Sequence, residues 1–263
     1  VVFCAVGGVQ PQSETVWRQA KKYHVPRLAF VNKLDRMGAR FGWVVKQIRD
    51  RLSVPAFPIQ LPWGQEEAHR GVLDLVNRRA IHFDEASQGV EFTVQDIPED
   101  YREAVEAARL ELVEALGERD EVILNAYLED TNVSAELVRA SLRRLTVAGA
   151  FIPVLCGTSL HNKGIQPLLD AVVDYLPSPL DVPPMEGHDV KTQAPLKRAA
   201  SDFEPMSGLA FKVANDAYVG KLIYVRVYSG VLKKGANIFN PRTRKRERIM
   251  RQLRVHANQR QDV

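Results

Sequence analysis

The sequence predicts an α/β fold in which a doubly wound parallel sheet is interrupted by an inserted α+β subdomain and followed by a partial antiparallel β-barrel. Strand-like apolar runs alternate with amphipathic helical patterns in residues 1–62 and again in residues 151–177. This alternation is typical of a parallel sheet covered by helices. Residues 63–150, which lie between these two parts, have a different pattern, and short alternating runs follow a proline-rich segment near residue 180.

The first part of the sheet is predicted over residues 1–62. Residues 1–6 and 27–31 are apolar runs that indicate buried strands, and residues 54–59 indicate the next strand. Pro11 begins a helix whose core face we predict from Val16, Ala20 and Tyr23, with Trp17 packing as well. The second helix has the following apolar residues on one face: Phe41, Val44, Val45, Ile48 and Leu52.

Residues 63–150 are predicted to be an inserted subdomain, because a connection of this length needs a structure of its own. Residues 72–76 and 79–83 indicate short strands, and two or three helices follow. The apolar positions that define these helices are Tyr101, Val105, Ala108, Leu112 and Leu116 on one face, and Leu137, Leu142 and Leu145 on another. The sheet pattern returns at Phe151, so residues 151–177 complete the first domain.

Residues 178–200 are predicted to be a stiff linker because they begin with two proline-rich clusters. In residues 201–263, Leu209, Phe211 and Val213 alternate with small or polar residues. Residues 222–228 and 236–239 are further strand candidates, each close to a turn glycine. This pattern predicts a small antiparallel β-barrel that is truncated at residue 263.

The composition is that of a globular protein. Hydrophobic residues make up 45% of the 263 positions, which is enough for a sizeable core. The longest uncharged apolar stretch, residues 145–156, is shorter than the roughly 20 residues of a membrane-spanning helix. Cys4 and Cys156 lie in predicted buried strands without a metal-binding spacing, so we expect reduced core thiols. We therefore expect a cytoplasmic protein, with an organellar form as the alternative, and a monomer.

The formal net charge of +4 conceals a strong segregation of charge along the chain. Residues 84–136 contain sixteen Asp or Glu and three Arg, whereas residues 233–263 contain ten Lys or Arg and two acidic residues. Such asymmetry indicates different partners for the two regions, although either run can also be a solvated surface. The acidic region favours a basic protein partner, and the basic region favours phosphate groups.

The tetrapeptide Asn32-Lys33-Leu34-Asp35 directly follows the strand at residues 27–31. Ligands of doubly wound sheets bind at the carboxyl ends of the strands, so these side chains are predicted to face a nucleotide. The Asp35 carboxylate can accept hydrogen bonds from guanine N1–H and N2–H₂, a pair of donors that adenine lacks. The Asn32 amide can contact N7, and the Lys33 stem can lie along the ring. The alternative is that Asp35 only caps a helix near Gly38.

A second predicted strand, Phe151–Cys156, ends at the loop Gly157-Thr158-Ser159-Leu160. In nucleotide-binding folds of this kind, such a loop presents backbone N–H groups to guanine O6. Small residues are needed where the backbone approaches the base, and Thr158 and Ser159 meet this need. The predicted guanine-binding residues are therefore Asn32, Lys33, Asp35, Thr158, Ser159 and Leu160.

Longer blocks around these motifs resemble bacterial-type translation elongation factor G. The first block runs from Gly8 to Ala20, the second from Val25 to Arg27 and the third from Phe30 to Ala39, and similarity resumes in residues 154–157 and, apart from residues 173 and 174, in residues 162–179. It continues through residues 209–212, 227–232 and 256–258, and so covers nearly the whole chain. One departure is the loop at residues 157–160, where the family usually has Gly-Ser-Ala-Phe. Backbone donors survive this change, so only the fine positioning of the base is affected.

The resemblance implies a partial P-loop-GTPase-type sheet with the insertion of that family. The intact protein would use GTP, hydrolysed to GDP with Mg²⁺, to drive movement of tRNA and mRNA through the ribosome. No Gly-x-x-x-x-Gly-Lys-Ser/Thr motif occurs in the sequence. We therefore expect a fragment whose catalytic residues lie upstream of Val1 and which is inactive alone. Asp35-Arg36-Met37-Gly38 has the Asp-x-x-Gly spacing of a phosphate switch, but its Asp is already assigned to the base motif.

The resemblance also implies ribosomal partners for the two charged regions. Candidate contacts with the mobile stalk protein of the large subunit are Glu103, Glu106, Glu111 and Glu114. Candidate contacts with ribosomal RNA are Arg244, Arg246 and Arg248, which strand alternation would place on one face, with Lys245 on the other. The alternatives are a related ribosomal GTPase, such as a release-factor GTPase or a ribosomal protection protein, and a non-catalytic module that binds protein and RNA.

Overall fold

The computed structural model describes residues 1–130, 132–190, 192–216, 220–256 and 259–262. It divides into two compact units, residues 1–177 and residues 178–263. The fold class agrees with the sequence prediction, since a parallel sheet and an antiparallel sheet occur in the first unit and antiparallel pairs occur in the second. Within the described residues, no helix has the length and apolar character needed to span a membrane.

The parallel sheet of the first unit contains β1 (Val2–Cys4), β2 (Ala29–Asn32), β3 (Ala56–Pro58) and β8 (Ile152–Cys156) in the order β1-β2-β8-β3. Val31 is in register with Cys156, so β2 and β8 end side by side. Asn32 and Ser159 are therefore neighbours at the carboxyl edge of the sheet, although they are 127 positions apart in sequence.

Three helices cover this sheet: α1 (Pro11–Lys22), α2 (Phe41–Leu52) and α6 (Ile165–Tyr175). The predicted face of α2 is confirmed, because all five of its apolar residues are buried. The predicted face of α1 is wrong: Trp17 is its only buried residue, whereas Val16 and Tyr23 are exposed. The Trp17 ring packs against Phe3 and the Arg27 guanidinium. This one large side chain therefore makes the buried contact of α1 that the prediction had divided among several residues.

The inserted subdomain has an antiparallel sheet, β4 (Gln60–Trp63), β5 (Gly71–Asp74), β6 (Arg79–Phe83) and β7 (Phe92–Gln95), paired in sequence order. Its helices are α3 (Glu99–Gly117), α4 (Glu121–Glu129) and α5 (Ala135–Val147). The sheet begins at Gln60, slightly before the predicted boundary, and β7 is a strand that the sequence did not indicate.

Two hydrophobic clusters join the insertion to the parallel sheet, and the larger one also includes α3. Leu73, Leu116 and Leu155, from β5, α3 and β8, all belong to it and are fully buried. The buried Arg109 of α3 donates hydrogen bonds to the carbonyl oxygens of Leu75, Val76 and Val133. An isolated buried cation would be costly, so the guanidinium needs these three hydrogen bonds. The same bonds connect α3 to the segments that contain Leu75, Val76 and Val133. The insertion is therefore packed firmly against the first sheet.

The second unit is built from antiparallel strand pairs. They are β9 (Met185–His188) with β10 (Pro195–Arg198), β11 (Ser207–Asp216) with β12 (Gly220–Ser229), β13 (Asn237–Asn240) with β14 (Lys245–Arg248), and β15 (Leu253–His256) with β16 (Gln259–Asp262). The first pair lies within the segment predicted to be a linker. The alternating residues of β11 form a strand as predicted, but Leu209, Phe211 and Val213 are exposed.

Candidate guanine-nucleotide site

Asn32 connects the two predicted base-recognition segments. Its side-chain amide donates to the Ser159 hydroxyl at 2.9 Å, and its Oδ1 accepts from the Ser159 backbone N–H at 2.9 Å. The same Oδ1 also accepts from the Lys33 backbone N–H at 2.8 Å. The ends of β2 and β8 make these bonds possible because they lie side by side. The structure thus brings together the two motifs that the sequence predicted to form one site.

Lys33 and Leu160 lie at the exposed side of this site. Lys33 adopts a left-handed backbone conformation with φ 69°, which is uncommon for a residue with a side chain and occurs often at functional sites. Its side chain is exposed, and Leu160 is 80% exposed. Both side chains are free of the core, and the sequence analysis expected the Lys33 stem to lie along the ring of the base.

Asp35 does not cap a helix, so the alternative interpretation is not supported. The helix that follows, α2, begins at Phe41 with Arg40 at its N-cap position. Burial alone would raise the pKa of Asp35, but hydrogen bonds from the Thr158 side chain and from the backbone, together with nearby His161, outweigh it and lower the pKa below its usual value. Asp35 is therefore ionised at neutral pH, as a carboxylate that accepts from guanine must be.

The Asp35 carboxylate also retains acceptor capacity. Its Oδ1 is shielded from solvent and has no hydrogen-bond partner among the described residues, while Oδ2 lies 3.7 Å from His161 Nε2. A buried carboxylate oxygen without a partner costs free energy, and such groups often mark functional positions. This unused acceptor lies where the sequence predicted the base-reading carboxylate.

Residues 157–164, which we call the base loop, close back on themselves. Thr158 and Lys163 exchange two backbone hydrogen bonds, of 2.9 and 3.1 Å. A Cβ atom on Gly157 would lie 2.2 Å from the Lys163 carbonyl oxygen, so only glycine fits there. Gly164 has φ +87°, which favours glycine as well. These constraints fix the loop that carries Thr158, Ser159 and Leu160.

The sequence did not identify three residues that support this loop. A cleft of about 450 Å³ opens beside Asp35 and is lined by residues of the insertion, including His69 and Glu85, and by Lys163. Lys163 is buried, whereas lysine is usually exposed, so no local pattern indicated its role. Its only signal was its place in the block of residues 162–179 that resembles the known family.

The first 178 residues of the chain match the family model of the elongation factor Tu GTP binding domain. The chain belongs to this family of translation GTPases. Residues 220–263 match elongation factor Tu domain 2. A crystal structure of a protein from Thermus thermophilus resembles this chain with a TM-score of 0.77 and 26% sequence identity, over 99% of this chain. This chain spans 36% of the length of that protein.

Membership in this GTPase family implies guanine nucleotide binding, and the base-recognition residues fit it. Among the described residues, no group of three or more His, Cys, Asp or Glu side chains could hold a metal ion.

The acidic residues predicted to contact protein are all exposed on α3 of the GTPase unit. Most of them already have neighbours: Glu111 pairs with Arg49 at 2.9 Å, and Glu106 pairs with Arg78 at 3.2 Å. Glu114 accepts a long hydrogen bond of 3.4 Å from the Tyr127 hydroxyl. Exposed ion pairs of this kind are weak, so these glutamates can exchange partners with a docking protein.

The basic residues predicted to contact RNA do not all lie on one strand. Arg246 and Arg248 are on β14 and share a face, opposite Phe239 and Asn237 of β13. Arg244 precedes the strand in a left-handed turn conformation with φ 55°, so its predicted place in the alternation is wrong. The four residues between β13 and β14 must reverse the chain, and this turn includes Arg244. All three arginines are exposed.

Proposed function

We propose that this chain carries the guanine-recognition part of a ribosomal translocase of the elongation factor G type. The observation that supports this most directly is the position of Asp35 just past the carboxyl end of a parallel strand, where its carboxylate lies 3.7 Å from His161 of the base loop and Asn32 is hydrogen-bonded to Ser159 of the same loop. The intact protein would hydrolyse GTP to GDP and use it to move tRNA and mRNA through the ribosome. Phosphate binding is not assigned to these residues, because the sequence contains no P-loop motif.

Each side chain has one role in reading the base. The Asp35 carboxylate accepts from guanine N1–H and N2–H₂, and the Lys33 stem and Leu160 cover the ring faces. The Asn32 amide has two N–H donors, of which one bonds to Ser159, so the other can reach guanine N7. Guanine O6 would compete with Asn32 Oδ1 for the Ser159 backbone N–H.

The partners we propose for the intact protein are ribosomal. The acidic face of α3, with Glu103, Glu106, Glu111 and Glu114, would dock the basic surface of the stalk protein. The exposed arginines at Arg244, Arg246 and Arg248 would contact the phosphates of ribosomal RNA. Contacts of this kind follow the shape and backbone of RNA rather than its sequence.

The decisive test is the substitution Asp35→Asn in a full-length protein that contains this chain. An amide donor in place of the carboxylate loses both guanine contacts but matches the extra carbonyl of xanthine. We expect the affinity for GTP to fall by about 100-fold or more and the affinity for xanthosine triphosphate to rise, as measured by titration calorimetry. The control is Asp50→Asn, a change in an exposed carboxylate of α2.

Unchanged preference for GTP in the Asp35 variant would show that another residue reads the base. The isolated chain provides a second check. We expect it to bind GTP or GDP weakly, because base contacts alone give little affinity without phosphate contacts. Sub-micromolar binding by residues 1–263 would contradict this assignment of roles.

A further inference from the structure

A turn of the inserted subdomain lies against the base loop. This turn, residues 84–91, connects β6 with β7, and its backbone accepts hydrogen bonds from two side chains of the opposite segment. Asn162 Nδ2 donates to the Gln88 carbonyl at 3.0 Å, and Gln166 Nε2 donates to the Gly89 carbonyl at 2.7 Å. The approach is close enough that a Cβ on Gly89 would lie 2.3 Å from the His161 carbonyl oxygen. The two segments therefore fit each other closely.

Lys163 makes the central contact between them. Its side chain is 8% exposed, and Nζ donates to Glu85 Oε1 at 2.7 Å and to the His69 carbonyl oxygen at 2.9 Å. The hydrogen bond and charge of Lys163 lower the pKa of Glu85 below its usual value, so this carboxylate is ionised at neutral pH. Both acceptors belong to the insertion, and a buried ammonium needs such partners. The side chain thus fastens the base loop to the insertion.

The neighbouring imidazole does not repel this ammonium. Burial, followed by the charge of Lys163, lowers the pKa of His69 to about 4, so the ring is neutral at pH 7. Asp35 on the other side of the cleft opposes this shift by a smaller amount. The Lys163 ammonium is therefore the positive charge at this contact, and its partners are the Glu85 carboxylate and the His69 carbonyl oxygen.

The backbone of Lys163 connects this anchor to the base reader. Lys163 and Thr158 exchange two backbone hydrogen bonds, and Thr158 is 1% exposed, so it has little freedom to move independently of them. Two other residues of the base loop reach the base reader: the Gly157 carbonyl oxygen accepts from the backbone N–H of Leu34, next to Asp35, at 3.3 Å, and His161 Nε2 lies 3.7 Å from Asp35 Oδ2. A displacement of Lys163 would therefore pass through the base loop to the carboxylate that faces guanine.

We propose that Lys163 is a positioning residue for guanine recognition, which clamps the base loop to the insertion so that the loop holds Asp35 in its base-reading orientation. This inference rests on the proposed function, because it assumes that Asp35 reads the base. It differs from a general role in stability in one measurable respect. A misplaced Asp35 weakens two contacts with guanine but only one with hypoxanthine, which keeps N1–H and lacks the 2-amino group, whereas general destabilisation weakens all nucleotides equally.

The test compares GDP with inosine diphosphate, which lacks the 2-amino group, in the full-length protein. We expect Lys163→Met to weaken GDP binding about tenfold and inosine diphosphate binding about threefold or less. Lys163→Arg keeps the charge and donors, and should restore GDP affinity to within about threefold of wild type. Lys46→Met, which removes an exposed lysine of α2, is the matched control and should change neither affinity.

Equal losses for the two nucleotides in Lys163→Met, or no loss at all, would overturn the inference. A wild-type protein that does not prefer GDP to inosine diphosphate would instead contradict the proposed function. Should Lys163→Met fail to fold, Glu85→Gln provides the same test from the exposed end of the pair. Glu85→Gln should lower the preference for GDP over inosine diphosphate about twofold, and an unchanged preference would also overturn the inference.

Discussion

The two units of this protein differ in what holds their strands in place. Every buried hydrophobic side chain that the structure describes lies in residues 1–177, where sheet and helices share continuous clusters. In the described part of the second unit, only Ser229 and Gly230 are buried. A packed core fixes side chains within a small range of positions, whereas hairpins alone leave them exposed. The proposed base-recognition site, which needs exact geometry, lies in the unit that can provide it.

A pair of identical truncations tests this comparison most strongly. Leu73 in β5 is fully buried, whereas Leu209 in β11 is 52% exposed. We expect Leu73→Ala to lower the free energy of unfolding by about 3 kcal/mol, because it removes apolar burial and leaves a cavity. Leu209→Ala should cost less than about 0.5 kcal/mol, as exposed positions usually do. Denaturant unfolding of residues 1–263 measures both, and a similar cost at both positions would remove the contrast between the units.

The pH dependence of stability should also be concentrated in the first unit. The pKa of His69 is about 4 in the folded state and 6.5 in the unfolded chain, so the unfolded state binds more protons between these values. Stability is therefore fully present above about pH 6.5 and declines as the pH falls toward 4. Between pH 7 and pH 5 the decrease from this group is about 2 kcal/mol.

Chemical unfolding at a series of pH values, with His69→Gln beside wild type, measures this contribution. The variant should remove most of the slope between pH 5 and pH 7. The matched change His24→Gln, at an exposed histidine, should leave the slope intact. A wild-type protein with constant stability over this interval would show that His69 titrates normally in the folded state.

The sequence was most informative where a pattern repeats along one element. The apolar positions of α2 predicted its buried face correctly because five residues share one stripe. The prediction for α1 failed because one large residue, Trp17, accounts for its packing, and periodicity gives a single residue little weight. Strand alternation likewise gave the right face for Arg246 and Arg248 but could not show that Arg244 belongs to the turn before them.

Within the proposed site, the sequence indicated the residues that we propose to read the base but not those that hold them. Asn32 and Asp35 follow a strand in a recognisable order, so their location at the sheet edge is a consequence of topology. Lys163 lies close to Glu85 and His69 only after two sheets have packed together, since 78 and 94 positions separate it from them in sequence. Contacts of this kind depend on tertiary structure and leave no local pattern.

The next prediction concerns the acidic face of α3. Docking through this face would depend on its charge and not on the exact position of each side chain. Reversal of Glu103, Glu106, Glu111 and Glu114 to Lys should slow ribosome-stimulated GTP hydrolysis by the full-length protein several-fold at low salt. The difference should shrink as salt rises, because exposed charges are screened beyond about 8 Å at physiological ionic strength. Multiple-turnover hydrolysis at several salt concentrations measures it.

The control for this reversal is a set of exposed acids on other helices of the same unit. Reversing Asp50, Asp170 and Asp174 changes the net charge of the unit without altering α3. If both sets slow hydrolysis to the same extent, net charge is responsible rather than the α3 face. An unchanged rate after the α3 reversal would mean that these glutamates are only solvated.

The smallest expected effect concerns the exposed hairpin of the second unit. Arg246 and Arg248 share one face of β14, whereas Lys245 lies on the other. Replacing both arginines with Ala should lower the log–log slope of ribosome binding against salt by about 0.7 to 0.9 for each phosphate that the variant no longer neutralises. Lys245→Ala should leave the slope unchanged if only one face of the strand meets the RNA.

Filter binding to ribosomes between low and moderate salt can resolve these slopes. Arg244→Ala, measured separately, distinguishes a contact made by the strand from one made by the turn. If Arg244→Ala and Lys245→Ala each lower the slope by half as much as the double replacement of Arg246 and Arg248, the whole hairpin acts as a diffuse positive charge. That outcome would sharpen the contrast with the first unit, where the exchange of one carboxylate for an amide at Asp35 is expected to change which base is bound.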